Sequence, residues 1–142
     1  MQVAETNVLL YAVDDRSPHH DQSRRWLEGL LDGGSETLGF AWQVVLGFLR
    51  LSTSPAVFPL PLAVEEAVAA VEQWLARPNV VVLEPTSRHL GVVRGLLADV
   101  GTAGNLVNDA HIAALAIEHG AEVVSFDRDF ARFEGLRWRL PG

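Results

Sequence analysis

The stretch Asn108-Asp109-Ala110-His111-Ile112-Ala113-Ala114-Leu115-Ala116-Ile117-Glu118-His119-Gly120-Ala121-Glu122-Val123-Val124-Ser125-Phe126-Asp127 places a helix and a strand back to back. From Asn108 to His119, Ala, Ile and Leu so dominate that most of the helix must be buried. Gly120 suits the left-handed residue that ends a helix. Glu122 to Phe126 then reads as a strand whose carboxyl end carries Asp127. Working outward, Gln2 to Glu5 predicts a strand that enters a helix through Thr6-Asn7, both good capping types. Thr37 to Phe40 predicts a second strand, followed by a helix from Ala41 to Leu51. Val80 to Leu83 is a continuous apolar run, read as a strand buried on both faces, and Trp138 lies on a minor strand. Helices are expected from His19 to Leu31, with Trp26, Leu27, Leu30 and Leu31 inward, and around Val64, Val68, Val71 and Leu75. Thr86 to Val100 is another, with Leu90, Val93, Leu97 and Val100 inward, and Gly101 to Asn105 a flexible loop. Strands alternating with helices imply right-handed crossovers, hence an α/β fold of three layers: a central parallel sheet with helices on both faces.

Composition narrows the function. At 142 residues the chain fits a single domain, residues 1–142. No apolar run reaches the roughly 18 residues that suggest a membrane span. Gln2 and Glu5 flank the first apolar stretch with no basic segment before it, unlike a secretory signal. A soluble cytoplasmic protein without membrane contact is expected. The chain has no cysteine, which excludes disulfides and thiolate metal sites. Its net charge is −7 and all eleven basic residues are Arg, a balance that excludes broad, charge-driven binding of nucleic acid. It leaves room for a nuclease, whose metal-binding acids themselves lower the charge, and it suits a basic protein partner.

Three acids fall at corresponding places. Glu5 and Asp127 end two strands, and Asp109 opens the helix that feeds the Asp127 strand, with Asn108 as its cap. In an open parallel sheet these places share the carboxyl rim, where ligands bind. Each acid also has a structural reading. Glu5 and Asp109 can favour a helix N-terminus by ~0.3–1 kcal/mol, and one of Asp127 and Asp129 can cap the turn at Phe130, Asp129 being the better placed. Collected on one rim with only Arg128 close in sequence, the carboxylates repel one another unless a hard cation holds them. Oxygen ligands without cysteine favour Mg²⁺ or Mn²⁺. His111 reads as a hydrogen-bonded core histidine, and His19 and His20 as surface residues.

These segments resemble the PIN-domain ribonucleases, and among them the VapC-type toxins of bacterial toxin–antitoxin pairs. The resemblance is carried by Glu5-Thr6-Asn7-Val8-Leu9-Leu10-Tyr11-Ala12, Gly104-Asn105-Leu106-Val107-Asn108-Asp109-Ala110-His111 and Ser125-Phe126-Asp127-Arg128-Asp129-Phe130, and extends to Gly47-Phe48-Leu49-Arg50-Leu51 and Leu136-Arg137-Trp138. It implies a PIN-like fold, Mg²⁺-dependent RNA cleavage, inhibition by a cognate antitoxin, and a homodimer. Carried over residue by residue, it makes Glu5, Asp109 and Asp127 the catalytic, metal-binding acids, with Thr6, Asn7, Asn108 and Ser125 as supporting polar groups and Asp129 beside them. Two positions depart from the pattern: Glu5 stands where the family has Asp, and Gly47 where it commonly has Glu.

The mechanism expected is attack on phosphorus by metal-activated water, in line with the leaving 3′-oxygen. Arg50, Arg128 or Arg16 would grip flanking phosphates of the RNA substrate. An acidic ribonuclease must rely on target shape, which points to tRNA or rRNA loops. The departures at 5 and 47 support a second reading, a weakened or inactive PIN fold that acts by binding its antitoxin. A phospho-acceptor or phosphatase ranks last, because the chain has no Lys and no phosphate-binding glycine loop. Trp26, Phe40, Trp42 and Phe48 mark the side where an antitoxin segment would lie and send an Arg into the acid pocket.

Overall fold

A computed structural model describes residues 1–101, 104 and 106–142. Five short strands, β1 (Gln2–Ala4), β2 (Leu38–Phe40), β3 (Val80–Val82), β4 (Glu122–Val124) and β5 (Trp138–Arg139), form one sheet in the order β3-β2-β1-β4-β5. Every pairing is parallel, with Val3 opposite Gly39 on one side and Val123 on the other. Six helices connect them: α1 (Thr6–Val13), α2 (His20–Gly33), α3 (Trp42–Ser52), α4 (Val64–Leu75), α5 (His89–Val100) and α6 (Leu106–Glu118). The first two crossovers step from β1 towards β3, and the third returns across the sheet to β4. Right-handed crossovers therefore put α1–α4 on one face and α5–α6 on the other. The chain reverses direction between β1 and β4, the place where open α/β sheets bind ligands.

The core follows from period. β1 is buried along its whole length, and Val123 and Val124 of β4 are fully buried. On the α1–α4 face, Trp74 stacks over Phe40 at 6.1 Å and meets Phe48 edge-on at 5.0 Å, tying α3 and α4 to β2. Gly120 ends α6 with φ of 65°, and Ala121 N donates to Ala116 O at 2.7 Å to close the helix end.

Four expectations change. β3 is an edge strand with one partner, so its apolar run is half-exposed, Val81 at 38%, instead of buried on both faces. In α4 the buried face is Ala67, Val71 and Trp74, which leaves Val64 61% exposed: the large indole takes the core and rotates the helix. In α5 only Leu96 is buried, and Leu90 is 80% exposed. Finally, α6 begins at Leu106, so Asn108 is inside the first turn and does not cap it. The loop expected from Gly101 to Asn105 lies in part outside the described residues.

Candidate active site

Where β1 ends, Glu5 takes the N-cap of α1, and its carboxylate accepts from Asn7 N at 3.1 Å. One turn holds the neighbouring strand end in place. Asn7 Nδ2 donates to the buried Ser125 Oγ at 2.9 Å, and Asn7 Oδ1 accepts from Phe126 N at 3.1 Å. Ser125 Oγ also accepts from Asp127 N at 2.9 Å. Asn7 and Ser125 thus clamp the end of β4 against the start of α1 and set where Asp127 emerges. Asp127 in turn caps a short 3₁₀ turn, Arg128–Arg132, by accepting from Asp129 N at 2.8 Å. The cap is Asp127 and not Asp129, because the turn already begins at Arg128 and Asp129 lies inside it.

Asp109 projects from the first turn of α6 towards this corner. Carboxylate oxygens of Asp109, Asp127 and Asp129 lie within 4.8 Å of one another, the only such group among the described residues. Glu5 is outside it but lines the adjoining cleft of about 350 Å³ with Thr6, Gln43, Gly47, Arg50, Asn108 and Asp109. Burial, then the charges of Asp127, Glu5 and Asp129, push the Asp109 carboxyl up from 3.8 to about 6. Among the described residues no Arg forms an ion pair with the group. Three gathered, uncompensated carboxylates are a donor set that could hold a hard divalent ion. Arg50 is exposed on the cleft wall and Arg128 exposed beside Asp127, while Arg16 is engaged with Asp14 at 3.1 Å.

Gly47 faces Thr6 across the cleft: a Cβ there would stand 3.1 Å from Thr6 Oγ1 and 3.3 Å from its Cγ2. A longer side chain must displace the threonine by a few tenths of an ångström before it enters the cleft. Gly47→Glu is therefore expected to lower the metal-free melting temperature, through crowding and a further like charge, and to enlarge the rise that Mg²⁺ produces. Thermal melts with and without the ion check both signs.

His111 makes no approach to the acids. Its Nδ1 meets His89 Nε2 at 2.8 Å, and His89 Nδ1 meets the Glu118 carboxylate at 2.5 Å. Burial acts to raise Glu118, but bonds from Thr86 and His89 outweigh it and hold the group below its ordinary value. Burial and the neighbouring His89 lower His111. The Glu118 carboxylate accepts from His89, His89 Nε2 and His111 Nδ1 share the next bond, and the chain of bonds pins α6 to the start of α5. The sequence offered no sign of His89 or Glu118 as partners, since α5 and α6 had to be aligned first. His19 and His20 are not surface residues either. Both are half-buried: His19 packs on Tyr11 and Phe126, and His20 Nδ1 meets Tyr11 O at 2.9 Å. Of the aromatics assigned to a partner surface, Trp26, Phe40 and Phe48 are core, and Trp42 alone is open, at 49%.

Residues 3–136 match the PIN domain family. Ribonuclease VapC37 of Mycobacterium tuberculosis is 52% identical over 141 residues, which cover 99% of this chain and 97% of that protein. Ribonuclease VapC33 of the same organism is 40% identical over 141 residues, covering 99% and 98%. Among solved structures, VapBC2 from Rickettsia felis, bound to a DNA fragment from their promoter, superposes with a TM-score of 0.70 at 22% identity, over 98% of this chain and 97% of that one. VapC20 of Mycobacterium tuberculosis, a toxin that cleaves the sarcin-ricin loop, gives 0.68 at 18%, over 96% and 99%. The structural likenesses speak for the fold, and the sequence likenesses for the family. With acids drawn from a strand end, a helix start and a second strand end onto one rim, the chain belongs to the PIN-domain family, among the VapC ribonucleases.

Proposed function

We propose that the chain is the endoribonuclease toxin of a type II toxin–antitoxin pair, dependent on Mg²⁺ or Mn²⁺, with unpaired loops of tRNA or rRNA as its targets. The observation that carries this is the carboxylate group of Asp109, Asp127 and Asp129, close together with no paired cation. Asp109, Asp127 and Asp129 would hold the ion, with Glu5 at the edge of its field. When bound, a divalent ion supplies charge neutralisation at the scissile phosphodiester and acidifies water. The protein's part is placement. Asn7 and Ser125 hold Asp127 on the corner where α1, β4 and α6 meet. Arg50 on the cleft wall and Arg128 next to Asp127 would take the phosphates flanking the scissile one. Near neutrality the metal-free Asp109 exchanges its proton, so metal and proton compete for one oxygen.

The likeness to VapBC complexes supports an antitoxin as partner. On α3, exposed Trp42 and Leu46 adjoin the cleft residues Gln43, Gly47 and Arg50, so a basic segment lying there reaches the acids. The test is incubation of a total tRNA and rRNA pool with Mg²⁺, with Mn²⁺ and with EDTA. Discrete fragments that vanish with EDTA are expected, and intact RNA from a folded protein overturns the reading.

A second reading, a weakened or inactive fold that works by binding, is favoured by one observation: the Glu5 carboxylate caps its own helix and stays outside the close group. The main reading expects Glu5→Asp to leave cleavage within about tenfold of the unsubstituted chain, the scale of changes around a metal's ligands. A large gain marks Glu5 as the weak point, and no fragments from either protein favour the binding module.

A further inference from the structure

His19, Tyr11 and Phe126 form one aromatic patch at the margin of the core. The His19 ring lies over Phe126 at 4.3 Å with an angle of 31°, and Tyr11 meets both, at 5.2 and 5.4 Å. The patch is fixed on three sides. Phe126 N is held by Asn7, the turn before α2 is held by Ser17 Oγ accepting from His19 N, and His20 is tied to Tyr11 O. All three side chains are half-buried, so the patch keeps an open surface. Among the described residues the His19 ring nitrogens and the Tyr11 hydroxyl have no hydrogen-bond partner, and none is sealed from solvent.

Its place is what matters. Phe126 immediately precedes Asp127, and Tyr11 lies on the helix that Glu5 caps, so the patch is built on the same two segments as the acid site. A net charge of −7 leaves this chain little general attraction for a phosphate backbone. Affinity for RNA must then come from bases, and unpaired bases are taken up on the faces of Phe, Tyr and His. We propose that His19, with Tyr11 and Phe126 behind it, stacks an unpaired nucleobase next to the scissile phosphate and so sets which loops are cut. The free ring nitrogens and hydroxyl are placed to contact that base's edge or ribose. The inference rests on the ribonuclease reading above and names the substrate feature that the site selects.

The experiment uses the full chain carrying Asp109→Asn, which blocks cleavage, and an RNA hairpin with 2-aminopurine in its loop. Binding and fluorescence quenching are compared for that protein, for His19→Phe and for His19→Leu. Leucine keeps the packing on Phe126 without an aromatic face. The expected result is retained quenching in His19→Phe and its loss in His19→Leu, with binding weaker by about 5- to 100-fold, the range for one base stacked on an aromatic ring. Equal binding by all three proteins overturns the proposal, and so does equal loss in both variants. Failure of the ribonuclease reading looks different. Quenching persists and depends on His19, yet the chain with Asp109 intact cuts no RNA.

Discussion

Asp109→Asn is expected to end cleavage and, in the absence of metal, to make the protein more stable. On the proposed reading, the loss of activity follows from removing a carboxylate that would help hold the ion. Charge stabilisation by a bound ion is worth several kcal/mol, so a drop of at least about 10³-fold is expected. The gain in stability follows from the sign of the shift. Folded Asp109 keeps its proton up to about 6, whereas the unfolded chain releases it near 3.8. Between those values the folded state binds more protons than the unfolded one, so this group's contribution falls as pH rises through that window and is unfavourable above it. For a fully buried group the gap would amount to ~3 kcal/mol. Solvent screening at a half-buried carboxylate leaves on the order of 1 kcal/mol. At pH 7 the variant should melt about 2–4 °C higher, with a shallower pH dependence from 4 to 6. Adding Mg²⁺ should reverse the order, because only the unsubstituted site gains from binding. A variant that melts lower than the parent at pH 7 without metal contradicts the account.

Asn7→Ala is expected to damage the site and the fold together. It leaves Phe126 N without its acceptor and takes from Ser125 Oγ one of its two donors, both at a part-buried junction. An orphaned buried group costs ~1–3 kcal/mol, and part of that falls on the backbone that carries Asp127. Cleavage should fall by about 10- to 100-fold, as it does when a residue that orients a metal ligand is removed. Asn7→Asp separates the two jobs. It can still accept from Phe126 N, but it loses the donor to Ser125 and adds a charge next to Asp127. Denaturant melts and cleavage rates on the same preparations check both. Full activity in Asn7→Ala would mean that Asp127 is held by its own turn alone.

Much of the architecture was legible because it depends on local pattern. The Ala-rich helix, Gly120 and the Val123-Val124 strand stand in sequence as they do in space, and alternation of helix and strand was enough to imply a parallel sheet. The misread faces have one cause. Counting apolar residues at helical spacing treats Val64 and Trp74 alike, but burial goes to the group that removes more surface, and Trp74 wins. The corner of Asp127 and Asp129 was assigned the other way round because a cap depends on where the strand stops, and β4 stops two residues before the expected end, at Val124. His19 was invisible for a different reason. Its partner Phe126 lies far downstream, and no local period links a turn residue to a strand end it meets only after the sheet has closed.

The seam between β1 and β4 also has a consequence for synthesis. Asn7 is made well before its partner, because the bond from Asn7 to Ser125 spans 118 residues. At the usual elongation speeds that separation takes roughly 6–24 s to translate. During that interval the nascent chain holds one edge of an acid pocket and none of the rest, and it cannot gather the carboxylates of Asp109, Asp127 and Asp129. The pocket can close only after Asp127 and Asp129 have been made, well behind its first residues. The site thus comes with a built-in delay, set by topology.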